Sequence, residues 1–214
     1  MISHIETVFR KHVPGRIDSE KEFRAAVLIP LIDGPKGPEV LFEVRAGSIL
    51  QGGDISFPGG GMEEGETIAR TAVRETCEEL CIKAEQIRLI GQSDYFSTGK
   101  GRTIYACVGE LTGYDGTFSP DEVAEVFTVP LSFFQETEPE RYRVSLNEEP
   151  EDDFPFDRIV GGRNYRWING KREILFYNYE GRTIWGITAK LIHAFARILR
   201  EEETKTAKEK QLEK

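Results

Sequence analysis

Three successive glycines, Gly59-Gly60-Gly61, stand ahead of four carboxylates at Glu66, Glu75, Glu78 and Glu79, with Arg74 set among them. In a helix over 67–82, Glu75, Glu78 and Glu79 fall at i, i+3 and i+4 and share one face. Like charges at that spacing cost a helix about 0.2–0.5 kcal/mol per pair, so the face needs a compensating cation. Hard divalent ions take oxygen ligands and are often shared with substrate phosphates, which makes Mg²⁺ or Mn²⁺ the expected cofactor. A solvated acidic helix face is the simpler alternative, because glutamate is a good helix former. Against it, the turn Phe57-Pro58-Gly59-Gly60-Gly61 has no use before an ordinary surface helix, whereas it lets backbone and metal approach a phosphate closely.

The run Gly60-x5-Glu66-x7-Arg74-Glu75-Thr76-x-Glu78-Glu79-x-Cys81-Ile82 resembles the Nudix box, G-x5-E-x7-R-E-U-x-E-E-x-G-U with U aliphatic. Thr76 replaces the aliphatic residue and Cys81 the late glycine; the second change bears on the turn after the helix. The resemblance implies an α/β fold, an αβα sandwich around a mixed sheet, and hydrolysis of a nucleoside diphosphate linked to another group. It also implies that Glu75, Glu78 and Glu79 hold two or more Mg²⁺ or Mn²⁺ ions with help from the Gly60 carbonyl, while Gly59 and Gly60 lie against the substrate. The metals would neutralise the diphosphate and lower the pKa of bound water, with a carboxylate taking the remaining proton. Metal-free, carboxylates so crowded should have raised pKa values. Arg74 is expected to fork onto Glu66 or Glu78 and fix the ligands. Glu125 aligns with a further metal or base position of some Nudix proteins, with Glu122 as the competing choice and a free surface carboxylate as the alternative for either.

Further stretches resemble the coenzyme A pyrophosphatase branch. Upstream, its pattern L-L-T-x-R-[SA]-x3-R-x3-G-x3-F-P-G-G is met by Leu41-Phe42-Glu43-Val44-Arg45-Ala46 and then Gly53-x3-Phe57-Pro58-Gly59-Gly60, without an arginine between Arg45 and Phe57. Downstream, Pro120–Leu131 and Ile184-Trp185-Gly186-Ile187-Thr188-Ala189 look like the same branch, the latter explained equally by packing of Trp185 in the core. The implied substrate is coenzyme A or acyl-CoA, with Arg45 on a phosphate and Lys100 or Arg102 replacing the missing arginine. Tyr95, Phe96 or Tyr105 could stack on adenine, although core packing explains these rings as well. ADP-ribose or a dinucleotide is the alternative substrate, and a non-catalytic binding module the third reading, disfavoured by the intact glutamates.

At 214 residues and a net charge of −9, the chain can bury one substantial core and lacks the basic surface that nucleic acid would need. No apolar run reaches the roughly 18–20 residues of a membrane span, and the first residues carry no basic-then-apolar signal, so a cytoplasmic location is expected. Cys77, Cys81 and Cys107 suit neither a disulfide scaffold nor zinc; Cys77 and Cys81 read as small buried hydrophobes. Three scattered histidines form no triad with a nucleophile. The partner expected is a small CoA-like nucleoside diphosphate, with a homodimer left open.

Several elements must hold these groups. Patterning predicts a helix over about 3–12, strands over 24–32 and 39–46 joined by the turn Asp33–Pro38, and then the glutamate-bearing helix. Strands follow at 87–96, 103–111, 123–129, 141–144, 164–168 and 173–179, with a closing helix over 183–200. One Nudix domain is expected over 1–200, and the charged segment 201–214 is expected to be a frayed or disordered tail.

Overall fold

The computed structural model describes residues 2–13, 22–98 and 101–212. After helix α1 (Ile2–Phe9), strands β1 (Phe23–Gly34) and β2 (Gly37–Arg45) form the expected hairpin, closing on the pair Gly34 and Gly37. Two short strands, β3 (Ile55–Ser56) and β4 (Gly59–Gly61), lead to α2 (Ile68–Leu80), the glutamate helix. Next come β5 (Ile87–Gln92), β6 (Phe96–Ser97), β7 (Arg102–Leu111), β8 (Val123–Pro130) and α3 (Leu131–Glu136). The chain closes with β9 (Glu140–Leu146), β10 (Gly170–Tyr179), β11 (Arg182–Trp185) and α4 (Gly186–Leu212).

The main sheet runs β3-β2-β1-β7-β5, with β8 added to β2, β4 to β1 and β6 to β7. β1 and β7 are parallel while the other pairings are antiparallel, so the sheet is mixed. Side chains alternate across its strands. Ala26, Leu28, Leu41 and Cys107 point to one face and pack with Ala72 and Leu80 of α2. Ile29, Val40, Phe42, Ala106 and Val108 point to the other, against Phe134 of α3 and Leu191, Ile192 and Phe195 of α4. Fully burying each of the valine, leucine, isoleucine and phenylalanine side chains is worth about 1.5–3 kcal/mol, and the two clusters hold the sheet between helices as the α/β expectation requires. Leu175 and Tyr177 of β10, in a separate antiparallel sheet ordered β11-β10-β9, join the second cluster.

Four expectations need correction. Residues 164–168 are not a strand: a 3₁₀ turn spans Gly162–Asn164 after Gly161 and Gly162 take φ of +89° and +52°. The aromatic content that suggested a strand instead builds a loop cluster, Trp167 lying 5.5 Å from Phe154 and 5.0 Å from Tyr165. Thr183–Trp185 belongs to β11, paired to β10, and Gly186 at φ +67° turns the chain into α4. That helix continues through Leu212, so residues 201–212 are helical rather than frayed, with Arg197 paired to Glu201 and Lys205 to Glu202. The strand expected over 87–96 breaks into β5 and β6. Among the described residues no helix is long and apolar enough to cross a membrane.

Candidate metal and diphosphate site

Thr67 caps α2 by accepting a hydrogen bond from the Arg70 amide, and Glu66, just before the cap, anchors Arg74 about two turns along. Arg74 Nε donates to Glu66 Oε1 at 2.9 Å and Nη2 to Oε2 at 3.0 Å, a two-pronged fork. Its Nη1 reaches Glu75 at 2.9 Å and Glu78 at 3.3 Å, and Nη2 also reaches the Gly61 carbonyl at 3.2 Å. Glu66 further accepts from Thr71 Oγ1 at 2.8 Å and the Glu63 amide at 3.1 Å. Hydrogen bonding to Arg74 is the main force holding the Glu66 carboxyl at a pKa of about 2.

The glycines have a steric reason. A Cβ on Gly60 would stand 2.5 Å from both carboxylate oxygens of Glu75, so any other residue there would push that side chain off β4. Gly59 adopts φ +152°, and a Cβ there would press on Val27 Cα at 2.5 Å. Its amide, left free to face α2, donates to Glu79 Oε2 at 2.7 Å. Glu79 is only 4 % exposed, whereas the Glu78 side chain is 57 % exposed.

Sequence reasoning missed Glu43. This β2 residue is fully buried on the α2 side of the sheet; Ser56 Oγ donates to its Oε1 at 2.8 Å, and Oε2 has no partner among the described residues. The available signal was alternation: Glu43 occupies the same face as Leu41, a position that patterning reserves for a core residue. Burial, then repulsion from neighbouring carboxylates, raises the pKa of Glu79, with Glu43 its strongest charged neighbour. Burial likewise raises Glu43 and Glu75, and the Glu122 charge adds to all three.

Glu122 therefore lies close enough to add charge to the cluster, whereas Glu125 points away from it. Alternation along β8 sends Val126 into the α2-side core, while Glu125 and Phe127 point to the opposite face. There Arg182 holds Glu125 by two hydrogen bonds of 3.0 and 2.7 Å and lies over the Phe127 ring. Arg45 stays beside the cluster: its charge lowers the Glu43 pKa and its Nε donates to the Leu50 carbonyl at 3.2 Å. Trp185 is not a core residue; 41 % exposed, it stacks on Phe176 and donates from Nε1 to Asp54 at 3.3 Å. Tyr95 is also exposed, 5.5 Å from Tyr105, which carries the Arg24 guanidinium over its face, whereas Phe96 packs against the core. Lys100 lies outside the described residues. Cys77 is half-buried and packs against the α2-side core as a small hydrophobe, whereas Cys81 is exposed, contrary to expectation. Thr76 is buried and satisfied by donating to the Ala72 carbonyl at 2.7 Å.

Among the described residues no group of three His, Cys, Asp or Glu side chains stands ready around one point. Glu75 and Glu78 are turned onto Arg74, and Glu79 onto the Gly59 amide. The donors nevertheless suit a hard divalent cation: all are oxygens, the space above Gly60 holds a carboxylate, and one buried oxygen of Glu43 is orphaned.

Sheet, glutamate helix and glycine strand together define a mixed α/β fold that gathers oxygen ligands at one end of α2. The NUDIX domain model matches residues 22–148. The uncharacterized Nudix hydrolase NudL of Photorhabdus laumondii is 31 % identical over 186 residues, covering 86 % of this chain and 88 % of the relative. NudL of Yersinia enterocolitica is 30 % identical over 187 residues, covering 86 % and 84 %. A solved Nudix hydrolase from M. smegmatis, RenU, is 26 % identical with a TM-score of 0.45, over 51 % of this chain and 71 % of that one. The chain belongs to the Nudix hydrolase family. It is thus a hydrolase of pyrophosphate bonds, in a family that generally uses divalent metal ions and acts on small nucleoside diphosphates.

Proposed function

We propose that the protein hydrolyses the diphosphate bond of coenzyme A or acyl-CoA, with Mg²⁺ or Mn²⁺, to 3′,5′-ADP and (acyl-)4′-phosphopantetheine. One observation carries the reading: the stretches that resemble the coenzyme A branch, far apart in sequence, are knit by direct hydrogen bonds. The Arg45 amide donates to Asp54 and the Ala46 amide to Glu122, each within 2.9 Å. Trp185 reaches Asp54, and Thr188 Oγ1 donates to the Ile55 carbonyl at 3.0 Å. They behave as one unit bordering the carboxylate cluster.

Glu75, Glu78 and Glu79 would hold the cation, which supplies charge neutralisation of the diphosphate and a more acidic water. Arg74 keeps Glu75 and Glu78 in position, and the Gly59 amide orients Glu79. Gly59 and Gly60 let the diphosphate approach the backbone, and Arg45 offers it a positive charge. Tyr95 and Tyr105 present an aromatic face to adenine. Arg102 is the candidate reader of the 3′-phosphate: it lies 4.8 Å over the Phe23 ring, whose edge is 3.6 Å from where a Cβ on Gly61 would stand.

A substrate panel with product identification tests this. Coenzyme A should be cleaved with a higher kcat/KM than ADP-ribose, and dephospho-CoA should be poorer than CoA by about 1.5–3 kcal/mol for a lost charge-assisted contact. Arg102→Gln should erase the difference between CoA and dephospho-CoA. Faster cleavage of ADP-ribose than of either would overturn the reading.

A further inference from the structure

A buried carboxylate is stable only with partners for both oxygens or with its charge removed. Glu43 has half of this: Ser56 satisfies Oε1, and Oε2 has none among the described residues although the residue is fully buried. Its placement is fixed by the sheet, since Glu43 pairs with Ser56 on one side and Val126 on the other. Only Phe57 and Pro58 separate Ser56 from Gly59, whose amide holds Glu79. One short segment therefore grips Glu43 with its first residue and Glu79 with its last, and brings two carboxylates from different elements together without a cation between them. Arg45 is the positive charge nearest in the chain, and its Nε is engaged by the Leu50 carbonyl. Packing alone would favour an apolar residue here, as at Leu41 two positions earlier on the same face.

From this geometry we infer that Glu43 is a further ligand of the divalent cation, contributed by β2 from beneath the helix, with its Oε2 as the donor atom. The inference rests on the reading that the α2 glutamates bind metal. With Glu79 it would pin the deep side of the ion, leaving the exposed Glu78 side open toward substrate phosphates and water. Glu43 then acts on affinity for the ion itself, and its effect is read without any substrate.

Mn²⁺ titration of the substrate-free protein, followed by electron paramagnetic resonance, and Mg²⁺-dependent thermal shift provide the test. Glu43→Gln keeps shape and the Ser56 contact while removing the charge; Glu43→Thr, a good strand former, is a second neutral variant. Both should fold, with metal-free melting temperatures at or above that of the wild type, and both should bind Mn²⁺ at least about tenfold more weakly, with a smaller Mg²⁺-induced rise in melting temperature. Wild-type Mn²⁺ affinity in a folded neutral variant overturns the inference, and a lowered melting temperature alongside it marks Glu43 as purely structural. Glu78→Gln separates the two readings. If wild type binds Mn²⁺ and Glu78→Gln does not, the helix assignment stands whatever Glu43 does; absence of binding in wild type overturns both.

Discussion

Arg74 and Glu66 meet through two parallel hydrogen bonds of 2.9 and 3.0 Å, and the remaining nitrogen of the same guanidinium holds Glu75 and Glu78. A planar fork is needed for this, because an ammonium supplies one point of charge and cannot span three carboxylates in fixed directions. Arg74→Lys should therefore lower kcat by about 10- to 100-fold through loosened ligands, while circular dichroism shows the fold intact. Undiminished turnover at saturating Mg²⁺ would remove Arg74 from the support of the site.

Glu79→Gln should reduce turnover by at least about a hundredfold, because it weakens an ion expected to carry much of the transition-state charge. The side chain keeps its shape and its contact with the Gly59 amide. Steady-state kinetics across a Mg²⁺ series would show the deficit persisting at saturation; recovery to wild-type turnover would contradict it.

pH should act on the metal-free protein in a definite direction. Glu43, Glu75 and Glu79 have folded-state pKa values raised above the ordinary 4.5 by burial. A carboxylate raised in this way favours folding when protonated, and that contribution fades as pH climbs from about 4.5 through the raised values. Glu66, lowered to about 2, behaves oppositely: its contribution is present above about 4.5 and is lost as pH falls through 2. Melting temperature in EDTA should thus decline as pH rises above the carboxylate range, and Mg²⁺ or the Glu79→Gln substitution should flatten the decline. A metal-free curve that rises instead would mean that the buried carboxylates are stabilised by charge.

Glu125 and Glu122 give a contrast within one strand region. Glu125→Gln should leave turnover within about twofold of wild type, since its partner is Arg182 on the far face, while Glu122→Gln should alter the Mg²⁺ dependence. Measuring both variants over the same metal series decides between them.

Cys81 ends α2 in the left-handed region at φ +53°, where the family pattern has glycine. A residue with a Cβ is strained there, so Cys81→Gly should stabilise the protein by about 0.5–1 kcal/mol, a rise of roughly 1–4 °C for a chain of this size. Differential scanning calorimetry checks it, and an unchanged or lower melting temperature would show that the thiol's contact with the Glu78 carbonyl outweighs the strain.

The fold elements with strong periodicity were legible: the β1–β2 hairpin, α2 and β7 lie within a few residues of their expected bounds. So were the Arg74 contacts with Glu66 and Glu78, the latter at i, i+4 spacing, but not its contact with the adjacent Glu75. Placement across the sheet was not. Glu122 and Glu125 are equally acidic and three residues apart, yet Glu122 precedes β8 and adds its charge to the cluster, while the pleat of β8 turns Glu125 onto Arg182. Glu43 was hidden in an apolar stretch because a carboxylate in a core position makes sense only once Ser56 and Glu79 are seen on either side of it. Trp185 likewise read as core, since hydrophobicity does not reveal that β11 ends beside an open hollow lined also by Asp54, Glu125 and Phe176.

The segment shared with the NUDIX domain stops at residue 148, yet Leu175, Tyr177, Ile184, Leu191, Ile192 and Phe195 complete the apolar cluster beneath Ile29 and Phe42. Six such side chains at about 1.5–3 kcal/mol each match or exceed the roughly 5–15 kcal/mol by which a protein is stable at all. The recognisable portion is consequently no portable cassette. Grafted into another scaffold without its last third, it would carry the glutamates along but leave one side of their sheet open to water, and recombination between relatives could succeed only where the two pieces travel together.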